Sequence, residues 1–233
     1  MTSVRAATLP ELSAIPRLVH GFEQRLPDAG PEGREAGRAR LAEALAPRGR
    51  LLLLEQVHGC AVRRAPWEGR PEADAAVAEH AGDILGIETA DCLPVLVVDP
   101  RRQAVAAAHA GWRGTAAGVA RAAVEALLRG GSAPGDLLAA LGPGIGPCCY
   151  EVGDELRAAF APAFLRDGPR GRAHLDVRAA NRAQLERSGL RPDRIHSLDH
   201  CTRCRGDLYH SYRRDGKAAG RMINFVGFSA GFS

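Results

Sequence analysis

Two short apolar runs joined by a turn, near the middle of the chain, most constrain its fold. Residues 83–100 read DILGIETADCLPVLVVDP, and residues 103–111 read QAVAAAHAG. Apolar runs of this length, bounded by turn residues, predict buried strands. Pro94 cannot donate a hydrogen bond to a neighbouring strand, so the first run is predicted to be a broken or bulged strand, with a sheet edge or a bulge near Cys92. Asp99 and Pro100 close that strand with a turn.

The rest of the chain alternates between helical and strand patterns, which predicts a mixed α and β fold. We predict a helix at 31–47 that ends at Pro47 and a strand at 50–59. A second helix is predicted at 115–131, with Thr115 as its N-cap and Gly130 just past its end. A strand, Gly-Pro loop and helix follow over 136–160, then a helix at 177–190 and a hairpin at 209–228 with its turn in the Asp-Gly-Lys region. No linker or repeat interrupts this order, and 233 residues with 45% hydrophobic content suit a single domain over 1–233.

Charge and targeting features exclude several classes of protein. Lys and Arg total 31 against 27 Asp and Glu, for a net charge of +4, and the arginines are scattered, which argues against a nucleic-acid partner. We find no secretory signal and no bilayer-spanning stretch, and so expect a soluble, cytoplasmic protein without a membrane partner. In that compartment the six cysteines are expected to be thiols, available as metal ligands or nucleophiles, rather than disulfides.

Three residues that can bind metal lie at predicted strand ends: His58, Cys92 and His109. They are separated by 34 and 17 residues, unlike the close ligand pairs of zinc fingers. Strand ends can nevertheless converge in space, and two imidazoles with one thiolate would give zinc three ligands and an open fourth position, as in catalytic sites. Spacing alone leaves two other interpretations open. Cys92 could be a nucleophile with His109 as its base, or both could be buried residues without chemical consequence.

The stretch HAGWRGT also indicates an anion site beside His109. It leads from His109 through a Gly-rich turn into a predicted helix, whose free backbone N–H groups and dipole favour a bound anion. Arg113 in this stretch carries a planar, permanent positive charge that could hold phosphate. An arginine in solvent at a helix start explains the same pattern about as well.

Six sequence blocks, taken together, resemble one known family. QVHG, TADCLPVL, AAHAGWRGTAAGV, LGPGIGPCCYEVGDE, CTRC and SYRRDGKAAGRM look like the blocks, in order, of the laccase-domain (polyphenol oxidase) family, also described as purine nucleoside phosphorylases. The resemblance runs from about His20 to the C-terminus. It implies an α+β fold, a layered sandwich of mixed β-sheets flanked by helices and related to cysteine hydrolase-like proteins. It also implies His58, Cys92 and His109 as metal ligands, with zinc as the usual metal and copper as the metal of an oxidase activity.

The resemblance further implies a function and its partners. These are phosphorolysis of adenosine, inosine and S-methyl-5'-thioadenosine by inorganic phosphate, together with hydrolytic deamination of adenosine. Phosphorolysis requires phosphate placed below the anomeric carbon and a donor to the departing purine, whereas deamination requires an activated water at purine C6. An open zinc position would serve deamination more directly than phosphorolysis.

Further candidates for substrate or phosphate contacts come from the family-like blocks. Arg25 in GFEQR matches the N-terminal block, although the Gly-rich stretch that usually follows is replaced here by LPDAGPEG. Cys149 and Tyr150 could line a pocket beside the Gly-Pro loop, or belong to a purely structural loop. Asp74 could position a base or a proton, or cap a turn. Arg213 in SYRRDG is a phosphate candidate, although hairpin arginines are usually solvated.

One CxxC motif, Cys201 to Cys204, on its own indicates a redox pair or half of a zinc site. A second CxxC is missing, and the family resemblance explains only the first cysteine. We therefore expect Cys201 to be a buried thiol and Cys204 to be incidental.

Three other functions stay open besides a nucleoside enzyme. A copper oxidase normally needs many closely spaced histidines, and this chain has eight with no HxH pair, so polyphenol oxidation is the runner-up. A metal-free cysteine hydrolase would use Cys92 and His109 and would be indifferent to chelators. A non-enzymatic zinc protein would normally supply four ligands rather than three.

Overall fold

The fold is built from many short strands and seven helices, all within residues 4–25 and 33–231, which the computed structural model describes. The strands are β1 (Ala6–Ala7), β2 (Leu18–Glu23), β3 (Arg50–Leu53), β4 (Val62–Arg64), β5 (Ala75–Ala78), β6 (Asp83–Thr89), β7 (Leu93–Asp99), β8 (Ala104–Ala110), β9 (Leu138–Leu141), β10 (Glu151–Val152), β11 (Leu165–Asp167), β12 (Ala173–Leu175), β13 (Ile195–Ser197) and β14 (Met222–Phe228). The α-helices are α1 (Pro10–Ser13), α2 (Arg34–Leu45), α3 (Trp112–Ala117), α4 (Val119–Arg129), α5 (Asp154–Ala159), α6 (Val177–Arg187) and α7 (Tyr212–Asp215).

The strands form two large mixed sheets and one small sheet. The five-stranded sheet has the order β1-β2-β14-β6-β3, and the six-stranded sheet has the order β13-β9-β7-β8-β5-β4. A three-stranded sheet, β10-β12-β11, lies apart from both. Most neighbours are antiparallel, but β3 runs parallel to β6, β4 to β5 and β13 to β9. The predicted mixed α and β class is therefore confirmed.

Alternate residues of β7 show how the layers pack. Successive side chains of a strand point to opposite faces of the sheet. Leu96 and Val98 pack with Leu85 of the five-stranded sheet, so the two large sheets lie face to face. Val95 and Val97 point the other way, into the core that α4 and α6 cover. Because α2 packs on the outer face of the five-stranded sheet, the order of layers is helix, sheet, sheet, helices, which confirms the layered sandwich.

The predicted strand at 83–100 divides into β6 and β7, which belong to different large sheets. The expected break is therefore confirmed. Of the two alternatives expected near Cys92, a sheet edge or a bulge, the edge is excluded because β7 lies between β8 and β9. Pro94 is tolerated there because it is the second residue of β7, and pairing with β9 begins one residue later, at Val95 opposite Leu141. The carbonyl of Pro94 accepts a hydrogen bond from the Gly142 N–H at 2.9 Å.

Two other predicted elements differ from the structure. The helix at 115–131 is split into α3 and α4 at Gly118, which adopts the left-handed conformation with φ 86°. Thr115 is not an N-cap: it is buried within α3, where its hydroxyl accepts a hydrogen bond from the Asn181 amide at 2.9 Å. Gly111 occupies the N-cap of α3, and Gly130 follows the last residue of α4, as expected.

The predicted hairpin at 209–228 is wrong. Its first half contains the short helix α7, because the Ser211 hydroxyl accepts a hydrogen bond from the Arg214 N–H and caps the helix start. Its second half, β14, pairs with β2 and β6 rather than with the first half of the predicted hairpin.

The remaining predictions agree with the structure, with one strand shorter than expected. β3 ends at Leu53 rather than continuing to residue 59. The helix predicted at 31–47 is α2, which ends before Pro47, while residues 31 and 32 lie outside the described part of the chain. β8, α6 and the strand, loop and helix over 136–160 follow the prediction. Over the residues that the structure describes, no helix is both long enough and apolar enough to cross a bilayer.

Candidate metal centre and adjoining pocket

The three predicted metal ligands meet at one end of the six-stranded sheet. Cys92 comes directly before β7, and His109 is the penultimate residue of β8, the antiparallel neighbour in which it faces Pro94. His58 lies in the turn that follows β3. The side-chain ligand atoms of His58, Cys92 and His109 all lie within 4.8 Å of one another. The two imidazole rings meet edge to face, with centroids 4.9 Å apart.

A buried carboxylate, Asp74, holds both histidines in position. One oxygen, Oδ1, accepts hydrogen bonds from the His58 N–H at 2.9 Å and from His109 Nδ1 at 2.8 Å. The other oxygen, Oδ2, accepts from the N–H groups of Val57 at 3.1 Å and Gly59 at 2.6 Å. These backbone bonds hold His58 in the left-handed conformation, with φ 63°. An ionised carboxylate only accepts, so His109 donates through Nδ1, and Nε2 is the ring nitrogen that can bind a metal once the metal displaces its proton.

The charges of the centre favour a thiolate at Cys92. Burial raises the pKa of the Cys92 thiol, but the charge of His109 and its hydrogen bond lower that pKa to about 6. Burial lowers the pKa of His109, but the charge of Cys92 and the hydrogen bond to Asp74 raise it to about 9. Burial also raises the pKa of Asp74, whereas its hydrogen bonds from His109 and the backbone leave it below the ordinary value. Cys92 is therefore in the protonation state that metal binding or nucleophilic attack requires.

The Gly-rich turn after His109 lets the backbone come close to these ligands. A Cβ added at Gly111 would lie 2.9 Å from the Cys92 sulfur and 3.4 Å from the His58 ring. A Cβ added at Gly114 would lie 2.9 Å from the backbone oxygen of Gly59. Side chains at either position would push apart the segments that carry the ligands.

The donor set fits zinc. Two imidazole nitrogens and one thiolate are ligands that zinc prefers, and tetrahedral coordination places such atoms about 3.3–3.8 Å apart. The observed limit of 4.8 Å lies within a small adjustment of that spacing. Asp74 supplies the carboxylate behind a ligating histidine that zinc sites commonly have.

Asp91 ties the loops around Cys92 together. Its backbone has a left-handed φ of 87°, and its carbonyl accepts from the Ile145 N–H at 2.8 Å. Its carboxylate accepts from the Thr202 hydroxyl at 2.6 Å and from the Arg213 N–H at 2.6 Å. Three loops that are distant in sequence are thereby fixed beside the metal centre.

A cavity of about 390 Å³ opens directly onto the three ligands. This volume falls in the range of small-molecule sites. Its other walls combine apolar, aromatic and charged side chains. They are Arg34, Glu55, Gln56, Arg70, Glu88, Ala90, Asp91, Ala110, Gly111, Trp112, Ile145, Tyr150, Val177, Tyr212, Arg213 and Arg221. A cavity of this size, lined by both charged groups and aromatic rings, suits a nucleoside-sized molecule.

Arginines in the cavity differ in how far their charge is neutralised. Arg70 forms an ion pair with Glu88 at 2.8 Å, and the same carboxylate binds Arg38 at 2.9 Å. For Arg221, burial lowers the pKa of the guanidinium and the like charge of Arg34 lowers it further. Two guanidiniums that repel each other beside a cavity favour an anion between them.

Comparison with known proteins identifies the family. The family described as "Multi-copper polyphenol oxidoreductase laccase" matches residues 29–229. The chain belongs to this laccase family. The resemblance expected from the six sequence blocks is thus confirmed.

Relatives of this laccase-family chain include proteins with two enzyme names. Purine nucleoside phosphorylase YlmD of Geobacillus stearothermophilus is 38% identical over 210 residues, which cover 82% of this chain and 77% of the relative. Adenosine deaminase RL5, from an unknown prokaryotic organism, is 38% identical over 197 residues, covering 76% and 74%. The crystal structure of YlmD superposes with a TM-score of 0.84 and 33% identity, covering 92% of this chain and 93% of that one.

The laccase-family structure separates the predicted substrate contacts into two groups. Tyr150 and Arg213 line the cavity, with the Arg213 guanidinium 5.2 Å from the centre of the Tyr150 ring. Arg113 is exposed and lies over the Trp112 ring at 4.4 Å, outside the cavity walls. Arg25 points elsewhere and donates to the Gly206 carbonyl at 2.9 Å.

Two other predicted substrate contacts, Asp74 and Cys149, lie outside the cavity. Asp74 is fully buried behind the histidines and does not reach the cavity, because its four hydrogen bonds hold it against the ligand-bearing turn. Cys149 lies outside the cavity, in a group with Cys148, Cys201 and Cys204. The expectation that Cys204 is incidental is therefore wrong, because the loops after β9 and β13 run side by side.

Three cavity arginines, Arg34, Arg70 and Arg221, are not among the candidates from the sequence. Arg221 belongs to the block SYRRDGKAAGRM, so the family resemblance offered a signal for it. Arg34 begins α2 and looks like any other helix-surface arginine, because only the tertiary fold brings it to the cavity.

Proposed function

We propose that this protein is a zinc-dependent purine nucleoside phosphorylase that also deaminates adenosine. It would cleave adenosine, inosine and S-methyl-5'-thioadenosine with inorganic phosphate to the free base and ribose 1-phosphate or methylthioribose 1-phosphate. The observation that carries the proposal is the convergence of His58, Cys92 and His109 beside a nucleoside-sized cavity whose walls also include the two like charges of Arg34 and Arg221. The names of relatives such as YlmD and RL5 support both reactions.

His58, Cys92 and His109 would hold the zinc ion, with Asp74 fixing the two histidines. Zinc bound by three protein ligands keeps one coordination position for water or substrate and acts there as a Lewis acid. The protein's own task is to bring a thiolate and two imidazole nitrogens together at this point. The hydrogen bonds of Asp74 perform that task because they fix the tautomer of His109 and the turn of His58.

The cavity walls would bind the rest of the reactants. Trp112, Ile145 and Val177 offer an apolar surface for the purine, and Tyr212 stands 51% exposed at the rim. Burial and the charge of Cys92 raise the pKa of Tyr150 to about 12, so its phenol stays protonated. A protonated phenol can donate a hydrogen bond to the departing purine, which lowers the barrier to glycosidic bond cleavage.

Phosphate would bind between Arg34 and Arg221. An anion at this position relieves the repulsion between the two guanidiniums and brings an oxygen nucleophile into the same cavity as the nucleoside. We also place the enzyme in the cytoplasm, where a reduced thiolate such as Cys92 is maintained.

A chromatographic assay tests this proposal. Zinc-replete protein is incubated with adenosine or inosine, with and without phosphate, and free base, ribose 1-phosphate and deaminated nucleoside are quantified. Wild-type protein is expected to release base only with phosphate, and Cys92→Ala is expected to lose both reactions. Arg221→Gln should raise the KM for phosphate, whereas the matched control Arg113→Gln should not. Neither base release nor deamination from the zinc-replete wild type would refute the proposal.

A metal-free cysteine hydrolase is the second candidate. It is favoured by the arrangement of Cys92, His109 and Asp74, which has the order and hydrogen bonding of a nucleophile, base and orienting carboxylate. Chelator treatment followed by iodoacetamide separates the two candidates. Activity that survives chelation and is abolished by alkylation of Cys92 indicates the hydrolase, whereas activity lost on chelation and restored by zinc indicates the metalloenzyme.

Polyphenol oxidation with copper remains the other alternative, and the family description is its support. Multi-copper chemistry requires several neighbouring copper sites. Among the described residues, the only other group of potential metal ligands consists of four cysteines rather than histidines. Copper-loaded protein assayed with a phenol and oxygen, beside the zinc form assayed with nucleosides, tests this alternative directly.

A further inference from the structure

Four cysteines converge at the protein surface, apart from the cavity described above. Cys148 and Cys149 lie in the Gly-Pro loop after β9, and Cys201 and Cys204 lie in the loop after β13. The four sulfur atoms all lie within 4.8 Å of one another. Cys204 is 3.7 Å from Cys148 and 3.4 Å from Cys149, measured between sulfurs. We call this group the cysteine cluster.

The spacing in the cysteine cluster matches a tetrathiolate metal site. Four thiolates bound to zinc at about 2.3 Å in a tetrahedron are separated by about 3.8 Å. The measured 3.4 and 3.7 Å lie close to that value. A disulfide requires two sulfurs about 2.05 Å apart and leaves the other two thiols without a role. Four sulfurs that share one small volume therefore point to a metal rather than to a single covalent bond.

Groups around the cysteine cluster can offset the negative charge of four thiolates. The N–H of Gly146 donates to the Cys201 sulfur at 3.3 Å. Arg203 lies between the two cysteines of the CxxC, and its interaction with Cys149 raises the pKa of its guanidinium. Backbone amides and cations that donate to metal-bound sulfur are the usual outer partners of such a site.

The backbone of the two loops also allows the four cysteines to lie close together. Gly144 and Cys201 form a bridge between the two loops, so these loops run side by side. A Cβ added at Gly146 would lie 3.3 Å from both the Cys148 sulfur and the Cys201 Cβ, which is tighter than most contacts allow. Glycine at this position lets the Gly-Pro loop reach the CxxC.

We propose that Cys148, Cys149, Cys201 and Cys204 bind a second, structural zinc ion. Closed zinc sites take four protein ligands, and a CxxC pair is a common source of two of them. The ion would join two loops that are distant in sequence and that support the cavity. Its presence does not depend on the nucleoside reactions proposed above.

Zinc content measured on the full-length protein tests the second site. Protein purified under reducing conditions is analysed by elemental mass spectrometry. Wild-type protein is expected to hold two zinc ions per chain. Cys201→Ser/Cys204→Ser and Cys92→Ala are each expected to hold one, and the combined variant none. Cys60→Ser, a free exposed cysteine outside both groups, is the matched control and should keep both ions.

Cobalt substitution gives a second readout that does not depend on turnover. Thiolate-to-cobalt charge-transfer absorption grows with the number of sulfur ligands. Cys92→Ala should therefore keep most of the absorption, and Cys201→Ser/Cys204→Ser should lose most of it. If the double variant does not fold, the single variant Cys204→Ser removes one exposed ligand and should weaken the absorption while the protein stays folded.

Distinct results would overturn the proposal. One is a zinc content that is the same in wild type and Cys201→Ser/Cys204→Ser. Another is recovery of the cluster cysteines as a disulfide when unreduced, anaerobically purified protein is alkylated and its mass measured. Absence of nucleoside activity in a zinc-replete wild type that still holds the second zinc would contradict the proposed function alone. The failures of the two proposals can therefore be told apart.

Discussion

Replacing Asp74 with asparagine tests the residue that supports the candidate metal centre without changing any of its three proposed ligands. In the wild type, each carboxylate oxygen accepts two hydrogen bonds, one pair from His58 N–H and His109 Nδ1 and the other from the Val57 and Gly59 amides. Asparagine keeps one acceptor oxygen and replaces the other with an NH2 group, which only donates. Two of the four donors must therefore lose their acceptor.

Either orientation of the new amide damages the site. If the NH2 group faces His109, Nδ1 must accept, which places the ring proton on Nε2 and removes the lone pair that binds metal. If the NH2 group faces the Val57 and Gly59 amides, the turn that carries His58 loses two of its backbone hydrogen bonds. The first orientation leaves only the His58 N–H without an acceptor, and the second leaves the Val57 and Gly59 N–H groups without one. Each such partly buried donor costs up to about 1–3 kcal/mol, so the variant is expected to lose roughly 1–6 kcal/mol of stability.

Zinc affinity is the decisive measurement. Loss of the carboxylate behind a ligating histidine typically weakens metal binding about 10- to 100-fold. We expect Asp74→Asn to raise the Kd for zinc by that factor, measured by competition with a chromophoric chelator and restricted to the His58–Cys92–His109 site by using the Cys201→Ser/Cys204→Ser background. Thermal unfolding with and without zinc should show a smaller metal-induced rise in Tm.

The matched control is Asp99→Asn. Asp99 is also buried and accepts two backbone hydrogen bonds, from the Arg101 and Arg102 amides at 3.0 Å each. It lies at the far end of β7, roughly 23 Å from Cys92 at the rise of an extended strand. Asp99→Asn can keep both hydrogen bonds through its one acceptor oxygen, because the same oxygen, Oδ1, accepts both. It should therefore change stability and zinc affinity little, whereas Asp74→Asn should lose both. Zinc affinity within two-fold of wild type in Asp74→Asn, or an equal loss in Asp99→Asn, would refute the reasoning.

Three further predictions follow from the same structure. Gly111→Ala places a Cβ 2.9 Å from the Cys92 sulfur, so chelator competition should show weaker zinc binding, whereas Gly135→Ala, where nothing lies within 4 Å, should not change it. Leu96→Ala, between the two large sheets, should lower the free energy of unfolding by about 2–5 kcal/mol in urea titrations. Burial lowers the pKa of His20 to about 4, and its Nε2 accepts a hydrogen bond from the Leu9 N–H at 3.2 Å, which only the unprotonated nitrogen can do. As the pH falls, His20 is therefore protonated in the unfolded state before it is protonated in the folded state. The contribution of His20 to the free energy of unfolding should be fully present above pH 6.5 and should fall by about 3 kcal/mol as the pH drops to 4. His20→Gln should remove this part of the pH dependence, and an unchanged slope in the variant would show that other groups cause it.

The three candidate metal ligands, His58, Cys92 and His109, could be predicted from the sequence because each lies near the end of a short apolar run. Strand ends are visible as changes in hydrophobic pattern, and Cys92 and His109 follow directly from the antiparallel pairing of two neighbouring runs. His58 required the resemblance as well, because β3 ends five residues before it and the intervening backbone is irregular.

Other parts of the site depend on contacts that no local pattern reveals. Arg34 and Arg221 come from a helix start and a strand start that are far apart in sequence, and only the packed fold brings them to one cavity. Arg113, the arginine nearest the ligands in sequence, instead lies over its neighbour Trp112. Proximity in sequence to a metal ligand is therefore a weak guide to the position of a long, flexible side chain.

The hairpin predicted at 209–228 failed for a related reason. Asp-Gly-Lys is a good turn sequence, but Ser211 caps a helix, and β14 finds its partners in β2 and β6. Local turn chemistry decides whether the chain can reverse, whereas the choice of strand partner is decided by tertiary packing.

The two groups of potential metal ligands share one structural support. Asp91 precedes Cys92, and its carboxylate accepts from Thr202, which lies within the CxxC loop, and from the backbone of Arg213, which lines the cavity. Its carbonyl accepts from Ile145 in the Gly-Pro loop, which leads to Cys148 and Cys149. A closed metal site that fixes these loops on the outside therefore fixes, through Asp91, the segment that carries the Cys92 thiolate on the inside. This arrangement gives a reason why four cysteines that lie outside the cavity would help to hold a three-ligand site in position.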